Sequence, residues 1–369
     1  MNIAFVLLTH NHDEPAGIER SVAALATGLR ELGHRALIIA AGPARTGDGP
    51  DLLRLTTLTL PRPALEEDLT ALLTDPAPVE AEVRAILTHH KVDLVCWADA
   101  MWGLGYLAPT PAGTRTALMV HVPRTDAPLH RSLDHRPGRV LTVSAFMLEE
   151  FARRGIDTEA WATLPNALMH TVAPPSPDER EALRERGPVR IVARAEPQKG
   201  IAELLQAYPA GGVGRPLQIV LAQAGFEYWP GMQNEVVAKC RALAANLPDV
   251  EILEALPWQD VPVFLRDAAT TVVCSTEPET FGNVAAEALS VGTPVIGYGL
   301  GHLPELTGAA GRMTDPADGP GRLWQTLTGL LDDRDAYHAA SREGPRRVAA
   351  HTPAAVAAAF LHATADAPR

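Results

Sequence analysis

Short apolar runs alternate with longer amphipathic segments along most of the chain, which is the pattern that an α/β protein produces. Residues 3–9 predict a strand, and residues 18–32 predict a helix with one apolar face. In the first half we expect further strands at 36–41, 55–60, 92–97, 116–121 and 139–143, and further helices at 79–87 and 145–154. Since strands separated by helices pair in parallel, this half is predicted to be Rossmann-like.

A second alternating series follows a proline-rich stretch at residues 164–188, the best linker candidate, although 178–185 within it is predicted to be helical. Its strands are expected at 189–193, 217–222, 250–253, 271–275 and from 293, and its helices at 200–208, 232–245, 261–267 and 281–292. A chain of 369 residues is too long for one ordinary core. We therefore expect two domains, 1–168 and 169–352, and a last helix from 353 that could pack on either.

The stretch 271–300 combines a strand, an acidic loop, a helix and a second strand. The helix is predicted to begin near residue 281, with Thr280 or Asn283 as its N-cap. Backbone N–H groups at a helix start that follows a strand suit a phosphate or a sugar hydroxyl. Glu279 and Glu287 lie on either side of that start, so both carboxylates could bind one polyol.

Two cations are predicted at another strand end, since Arg194 follows a strand and Lys199 opens the next helix. This arrangement suits a diphosphate. The chain has three lysines against 29 arginines, so its composition does not favour a lysine here; a solvated loop pair is the alternative. Gly17 precedes the first helix and would permit close approach of a ligand. No G-x-G-x-x-G motif follows the first strand, which argues against a dinucleotide cofactor.

Composition and charge narrow the class of protein. Hydrophobic residues make up 46% of the chain and charged residues 21%, which is typical of a soluble globular protein. No apolar run approaches the roughly 20 residues of a membrane span, and no signal-peptide pattern is found at the N-terminus, so we expect a cytoplasmic protein without membrane insertion. The net charge of −12 argues against nucleic acid and anionic lipid as partners.

No motif predicts a bound metal. The cysteines Cys96, Cys240 and Cys274 are isolated in apolar stretches and are expected to be buried thiols. The acidic run at residues 332–335 is expected to be solvated, and the histidines lack the spacing of metal ligands.

A family resemblance rests on motifs spread over most of the chain, in order. They are Glu279 and Glu287 within ETFGNVAAEALSVGTPVI, Arg194 with Lys199-Gly200, Pro165-Asn166, and the opening AGIERSVAALATGLRELGH. Together they resemble the retaining glycosyltransferases of family 4. The resemblance implies the GT-B fold, in which two Rossmann-like domains face each other across a cleft. It also implies that the C-terminal domain holds a nucleotide sugar, that the N-terminal domain holds the acceptor, and that helix 353–369 crosses back to the N-terminal domain.

The resemblance also assigns roles to residues. It implies that Glu287 accepts hydrogen bonds from the ribose, and Glu279 from the donor sugar. The donor-binding segment includes Thr280 and the backbone N–H groups of Phe281, Gly282 and Asn283. Arg194 and Lys199 would neutralise the leaving diphosphate, which would dispense with a metal or a further cofactor.

Two residues of the N-terminal half complete the expected donor site. Domain closure would bring Gly17 and His121 over the donor, and His121 matches a family histidine that approaches the donor sugar. A core histidine is the alternative for His121. Ala16 stands where the family often has a first glycine, which weakens the expected contact with phosphate. The resemblance implies front-face transfer with retention of anomeric configuration, with UDP, GDP or ADP as the donor nucleotide.

The acceptor is sought among acidic residues that follow strands in the N-terminal half. Residues 1–170 contain 15 Lys and Arg against 20 Asp and Glu, which favours a soluble acceptor over a lipid one. Asp13, Glu14, Asp99 and Asp126 could bind an aminocyclitol or amino sugar. The alanine- and arginine-rich composition suggests a GC-rich bacterial source, in which natural products of this kind are common.

Several alternatives remain open from the sequence. The acceptor could be a lipid-linked or cell-envelope glycan. The chain could also be a nucleotide-sugar epimerase or hydrolase of the same fold, or a non-catalytic nucleotide-sugar-binding subunit. Both a monomer and a homodimer are compatible with the sequence.

Overall fold

The computed structural model describes residues 1–11, 16–45, 47–72, 74–98, 110–169 and 172–365. Contacts between residues divide the chain into two compact units. In the sequence, unit 1 runs to Met169 and includes the C-terminal segment from His351. Unit 2 is formed by the intervening residues up to Ala350. Each unit is built around its own parallel sheet, so the chain has the two Rossmann-like domains that the sequence predicts.

Unit 1 contains a seven-stranded sheet. Its strands are β1 (Asn2–Thr9), β2 (Arg35–Ala41), β3 (Leu52–Arg54), β4 (Leu94–Ala98), β5 (Arg115–Val120), β6 (Val140–Thr142) and β7 (Ala162–Thr163). They lie in the order β3-β2-β1-β4-β5-β6-β7, and every pair is parallel. The central strands are buried on both faces, which explains why they read as continuous apolar runs rather than alternating ones.

In the part of unit 1 that the structure describes there are six α-helices. They are α1 (Gly17–Glu31), α2 (Glu66–Leu72), α3 (Ala77–His89), α4 (Ala127–Asp134), α5 (Ala145–Arg153) and α14 (Pro353–Ala363). The apolar face of α1 supplies Leu25 and Leu29 to a core that also contains Phe5 and Phe360. The rings of Phe5 and Phe360 lie 5.5 Å apart, so the last helix of the chain packs on the first strand of unit 1.

Unit 2 contains a six-stranded parallel sheet in the order β10-β9-β8-β11-β12-β13. Its strands are β8 (Val189–Arg194), β9 (Leu217–Ala222), β10 (Val250–Leu253), β11 (Thr270–Val273), β12 (Val295–Tyr298) and β13 (Gly311–Thr314). Its helices are α6 (Pro177–Arg186), α7 (Ile201–Gln206), α8 (Met232–Ala244), α9 (Asp260–Arg266), α10 (Asn283–Ser290), α11 (Leu303–Thr307), α12 (Pro320–Asp332) and α13 (Arg334–Arg347). Buried Trp324 and Tyr337 carry the late helices onto this sheet. Their polar groups donate to the carbonyls of Leu204 and Ala269, so neither large side chain is buried with an unmet donor.

The strand predicted at 55–60 is wrong, because the third strand is Leu52–Arg54 and the chain then leaves the sheet. The cause is the carboxylate of Glu82. It accepts hydrogen bonds from the backbone N–H groups and the hydroxyls of both Thr56 and Thr57, at 2.5–3.0 Å. These N–H groups are therefore not available to a strand ladder. Helices α2 and α4 were not predicted from the sequence.

The three cysteines are free and buried, as the sequence predicts. In the part of the chain that the structure describes, no helix is long and apolar enough to cross a membrane.

A close helix crossing in unit 1 depends on a glycine. A Cβ atom added to Gly28 of α1 would lie 2.0 Å from the carbonyl oxygen of Pro353, the first residue of α14. An exposed glycine within a helix costs about 1 kcal/mol relative to alanine, whereas overpacking costs about 1–3 kcal/mol. We therefore expect Gly28→Ala to lower the free energy of unfolding of the full chain, measured by chemical denaturation.

Gly329 of α12 is the matched control for Gly28, because no atom lies within 4 Å of the Cβ that alanine would add there. Gly329→Ala should raise the stability by about 0.5–1 kcal/mol. If both variants were stabilised, the close packing of α1 on α14 would not be a constraint.

Candidate active site

The candidate site of unit 2 lies at the carboxyl edge of its sheet, where β8 and β11 are neighbours. The chain passes from β8 to β9 on one side and later returns to β11 on the other, so the strand order reverses between β8 and β11. Ligands of open α/β sheets bind in the crevice outside the strand ends at such a reversal. The loops that follow β8 and β11 therefore lie at the ligand-binding edge of the sheet.

These two loops are held together by main-chain contacts. A short 3-10 turn at Pro197–Lys199 ends at Gly200, which has a φ of +69°. A Cβ atom there would lie 2.2 Å from the carbonyl oxygen of Cys274, so only glycine fits this approach. The N–H of Thr276 donates to the carbonyl of Gln198 at 2.9 Å. The turn that carries Lys199 is thereby fixed against the start of the loop after β11.

An ion pair joins the two loops at their functional side chains. The ammonium Nζ of Lys199 lies 2.6 Å from Oε1 of Glu279, and the hydroxyl of Ser275 donates to the same oxygen at 2.5 Å. The side chains of Lys199 and Glu279 are only 20% and 17% exposed. Two residues that are 80 positions apart in the sequence thus form a shielded pair at the strand ends.

Glu279 is ionised despite its burial. Burial alone would raise the pKa of this carboxyl group. The charge of Lys199, the hydrogen bonds from Lys199 and Ser275, and the more distant charge of Arg194 together outweigh burial and hold the pKa below its usual value. The site therefore presents a carboxylate at neutral pH, which can accept hydrogen bonds from hydroxyl groups.

Arg194 has a different partner. It is the last residue of β8, and its guanidinium group lies 3.0 Å from Oε1 of Glu196, whose side chain is 2% exposed. The amide of Gln198 donates to the other oxygen of Glu196 at 3.0 Å. Arg194 itself is 40% exposed. The guanidinium is thus held by the buried carboxylate of Glu196, while much of its surface faces solvent at the strand ends.

The backbone of Glu279 is fixed from the other side by the loop after β12. Gly301 has a φ of +63°, and a Cβ atom there would lie 2.3 Å from the carbonyl oxygen of Glu279. The N–H of His302 donates to that same oxygen at 2.8 Å, and the ring of His302 stacks on Phe281 at 5.9 Å. The position of the carboxylate therefore depends on three loops, which follow β8, β11 and β12.

Helix α10 begins at the site, but neither predicted N-cap is correct. The N-cap is Gly282, with a φ of +91° that disfavours other residues, so Thr280 lies before the cap and Asn283 is the first helical residue. The first N–H groups of any helix have no partner within that helix, and they carry partial positive charge. Phe281 is buried beneath this turn, and Glu287 is buried one turn further along α10.

The candidates in unit 1 are placed by separate elements. His121 directly follows β5 and is 4% exposed; neither ring nitrogen has a hydrogen-bond partner among the described residues. Burial lowers its pKa to about 4, so the imidazole is neutral at pH 7. Gly17 is the first residue of α1, whose N-cap, Ala16, provides no side-chain cap.

The proposed acceptor residues are only partly described by the structure. Asp126 is the N-cap of α4, where it accepts from the N–H of Leu129, and it also pairs with Arg124 at 2.5 Å. These contacts give it a structural role in α4. Asp13, Glu14 and Asp99 lie outside the described residues.

Sequence reasoning missed Ser275, Glu196, Gly301 and His302. Ser275 could have been found, since it lies at the end of a predicted strand within the stretch 271–300 that also contains Glu279. The other three act through contacts between separate loops, and no spacing in the sequence indicates them. In the described part of the chain, no group of three His, Cys, Asp or Glu residues could hold a metal ion.

Two Rossmann-like sheets, with charged side chains at the strand ends of the second, are the arrangement of the GT-B fold. Residues 15–172 match the family model described as Glycosyltransferase Family 4, and residues 179–347 match that of Glycosyl transferases group 1. The chain belongs to glycosyltransferase family 4.

Three curated relatives are similar over different shares of their length. The chain is 30% identical to alpha-maltose-1-phosphate synthase of Mycolicibacterium smegmatis, over 70% of this chain and 67% of that protein. It is 27% identical to 2-deoxystreptamine N-acetyl-D-glucosaminyltransferase of Streptomyces fradiae, over 80% of this chain and 78% of that protein. It is 30% identical to O-antigen chain mannosyltransferase B of Escherichia coli over 56% of this chain, and it spans only 54% of that relative.

Two solved structures share the fold over nearly their whole length. Sucrose-phosphate synthase from Thermosynechococcus elongatus is 19% identical, with a TM-score of 0.75 over 98% of this chain and 97% of that one. The Anabaena protein HepE in complex with UDP-glucose is 18% identical, with a TM-score of 0.72 over 98% of both chains. At this level of identity the likeness concerns the fold alone.

The ion pair predicts a pH dependence of stability. The pKa of Glu279 in the folded state lies below the ordinary value of about 4.3 that it has in the unfolded state. The contribution of the ion pair to stability is therefore fully present above about pH 4.3 and is lost as pH falls through the folded-state pKa. Lys199→Met should lower the free energy of unfolding at pH 7 by about 2 kcal/mol, less than for a fully buried pair because both side chains are partly exposed. Chemical denaturation at pH 7 and at about pH 3 should show that Lys199→Met loses less stability on acidification than the wild type does.

Lys239 is the matched control for Lys199, because its ammonium lies 3.6 Å from Glu203 and both side chains are about half exposed. Lys239→Met should change the free energy of unfolding by less than about 0.5 kcal/mol at either pH. Equal effects of the two substitutions would contradict the special role of the Lys199 pair.

Proposed function

We propose that the chain is a retaining glycosyltransferase that moves a sugar from a nucleoside-diphosphate sugar to a hydroxyl group of a small soluble acceptor. The observation that carries the proposal is the shielded pair of Lys199 and Glu279, beside Arg194 and the start of α10. Such a site offers a carboxylate for sugar hydroxyls and cations for a diphosphate within one crevice.

The proposed mode of donor binding follows from the number of hydrogen bonds that each of these groups can form. An ammonium has three donors, so Lys199 can keep its hydrogen bond to Glu279 while a second donor binds a phosphate oxygen. Arg194 remains on Glu196 and turns its exposed face to the same phosphates. Glu279 then accepts from a hydroxyl of the donor sugar, and Glu287, further along α10, accepts from the ribose.

The transfer step places its charge on the leaving group. The bond from the anomeric carbon to the β-phosphate oxygen breaks, and the acceptor oxygen forms its bond to the same face of that carbon. The proton of the acceptor hydroxyl passes to the departing phosphate oxygen. A cation about 4 Å from an anion, at an effective dielectric near 20, stabilises it by about 4 kcal/mol, so Lys199, Arg194 and the α10 N-terminus are suited to this transition state.

The donor and acceptor classes draw support from the relatives. HepE has been solved with UDP-glucose, which makes a UDP-sugar one candidate donor beside GDP- and ADP-sugars. The name of the Streptomyces fradiae relative specifies 2-deoxystreptamine, an aminocyclitol. We propose an aminocyclitol or amino sugar as the acceptor, in natural-product biosynthesis.

A cell-envelope glycan is the second candidate for the acceptor. The name of the Escherichia coli relative specifies the O-antigen chain, and this observation favours it. The acidic balance of residues 1–170 opposes docking to an anionic membrane surface. Transfer to 2-deoxystreptamine in the absence of lipid would favour the first candidate.

The proposal predicts specific nucleotide binding. At least one of UDP, GDP and ADP should raise the melting temperature of the full chain, because a ligand at 100 times its Kd stabilises the native state by about 2.7 kcal/mol. Lys199→Met and Arg194→Met should each lower the affinity for that nucleotide at least about tenfold, which corresponds to the loss of one charge-assisted contact. Lys239→Met should bind it like the wild type. Absence of a shift with all three nucleotides would contradict the proposal.

Retention of configuration is a separate prediction. The donor for this test is a sugar of the nucleotide that gives the largest rise in melting temperature. In the product, the transferred sugar should keep the anomeric configuration that it has in that donor. The coupling between protons H1 and H2, measured by NMR in the isolated product, reports that configuration, because a glycoside does not mutarotate. A product of the opposite anomer would exclude front-face transfer and leave the nucleotide site intact.

A further inference from the structure

Two large aromatic side chains are exposed side by side in unit 2. Tyr228 is 48% exposed and Trp229 is 43% exposed, and both lie on the loop after β9. Because β9 pairs in parallel with β8, this loop emerges at the same carboxyl edge as Arg194 and Lys199. Adjacent exposed aromatic groups at a ligand-binding edge indicate a contact surface rather than a packing defect.

The loop is fixed from beneath by two buried side chains. Glu227 is 3% exposed, and its carboxylate accepts from the N–H groups of Gly231 and Gln233 at 2.9 and 3.0 Å. The amide of Gln233 donates to the carbonyls of Ala224 and Phe226 at 3.0 and 3.3 Å. A ring carried by such a loop is held in place before a ligand arrives, which reduces the entropy cost of binding.

The two aromatic side chains have different anchors. The hydroxyl of Tyr228 accepts from the amide of Gln198 at 2.9 Å, and that amide also donates to Glu196, the partner of Arg194. The indole N–H of Trp229 instead donates to Glu235 of α8 at 3.1 Å. Tyr228 is therefore joined to the proposed donor site, whereas Trp229 is joined to the helix.

Two glutamates lie on loops that Gln198 joins to Tyr228. The loop after β11 brings exposed Glu277 to this side, since its neighbour Thr276 is bonded to the same Gln198 that holds Tyr228. Burial raises the pKa of the Tyr228 hydroxyl and the charges of Glu196 and Glu277 raise it further, whereas the charge of Arg194 and the hydrogen bond from Gln198 lower it. Because Arg194 is paired with Glu196, Glu277 supplies the remaining negative charge on this side. We call Tyr228 and Glu277 the aromatic–acidic patch.

From this arrangement we infer that the aromatic–acidic patch is an acceptor subsite for a ring that bears a protonated amine. An aromatic face beside a carboxylate attracts an ammonium group through cation–π and Coulomb interactions. The inference rests on the proposed function, because it assigns the acceptor class of that reaction.

The test measures binding to the full chain saturated with the nucleoside diphosphate that gives the largest thermal shift. Calorimetric titration with 2-deoxystreptamine should give a Kd about tenfold weaker for Tyr228→Ala and for Glu277→Gln than for the wild type. Tyr228→Phe should bind within about twofold of the wild type, since it keeps the ring. The neutral ring myo-inositol should bind about tenfold more weakly than 2-deoxystreptamine, because it has no charge for the patch.

Trp229→Ala is the matched control, because it removes an equally exposed aromatic side chain of the same loop that is anchored to α8. It should bind 2-deoxystreptamine like the wild type, and all of these variants should keep the nucleotide affinity. The inference is overturned if 2-deoxystreptamine does not bind the nucleotide-saturated wild type, or if Trp229→Ala or Tyr228→Phe loses as much affinity as Tyr228→Ala. A weaker nucleotide Kd in Tyr228→Ala would also overturn it, in favour of a nucleobase contact. Failure of every nucleotide to bind would instead contradict the proposed function itself.

Discussion

The shielded ion pair between Lys199 and Glu279 is the interaction on which the candidate site depends. Two opposite charges, each about one-fifth exposed, lie 2.6 Å apart at the ends of β8 and β11. Removal of either charge leaves the other without its main partner in a poorly solvated place, which is costly. The pair therefore fixes the relative position of two loops and, at the same time, supplies the two kinds of group that a sugar diphosphate needs.

Glycine permits the close approach that the pair requires. At Gly200 and Gly301 a side chain would collide with main-chain atoms of Cys274 and Glu279, and both glycines adopt positive φ angles. Gly282 has the same backbone feature at the start of α10. These positions lie in the loops after β8, β12 and β11. The geometry of the carboxylate is thus determined mainly by the backbone, with the side chains of Lys199 and Ser275 completing it.

The fold could be predicted from the sequence because its cause is local: each buried parallel strand is a continuous apolar run, and each helix has one apolar face. Arg194, Lys199 and Glu279 could be named as candidates because each follows a predicted strand, and the structure brings Lys199 and Glu279 together. The contacts of these residues could not be predicted. The error at 55–60 has the same origin, since Glu82 binds Thr56 and Thr57 from 26 and 25 positions away, and no periodicity records such a contact.

The electrostatics of the pair also restrict what a ligand can do there. Glu279 is already ionised and already accepts two hydrogen bonds, from Lys199 and Ser275. A neutral sugar that drew Glu279 away from Lys199 would leave the ammonium group without a counter-charge in a shielded place. A diphosphate brings negative charge of its own, so it can share the ammonium group while the second oxygen of Glu279 accepts from hydroxyl groups. The recognition of the sugar that we propose for Glu279 would therefore favour the intact donor over free sugars, because only the donor brings a counter-charge for Lys199.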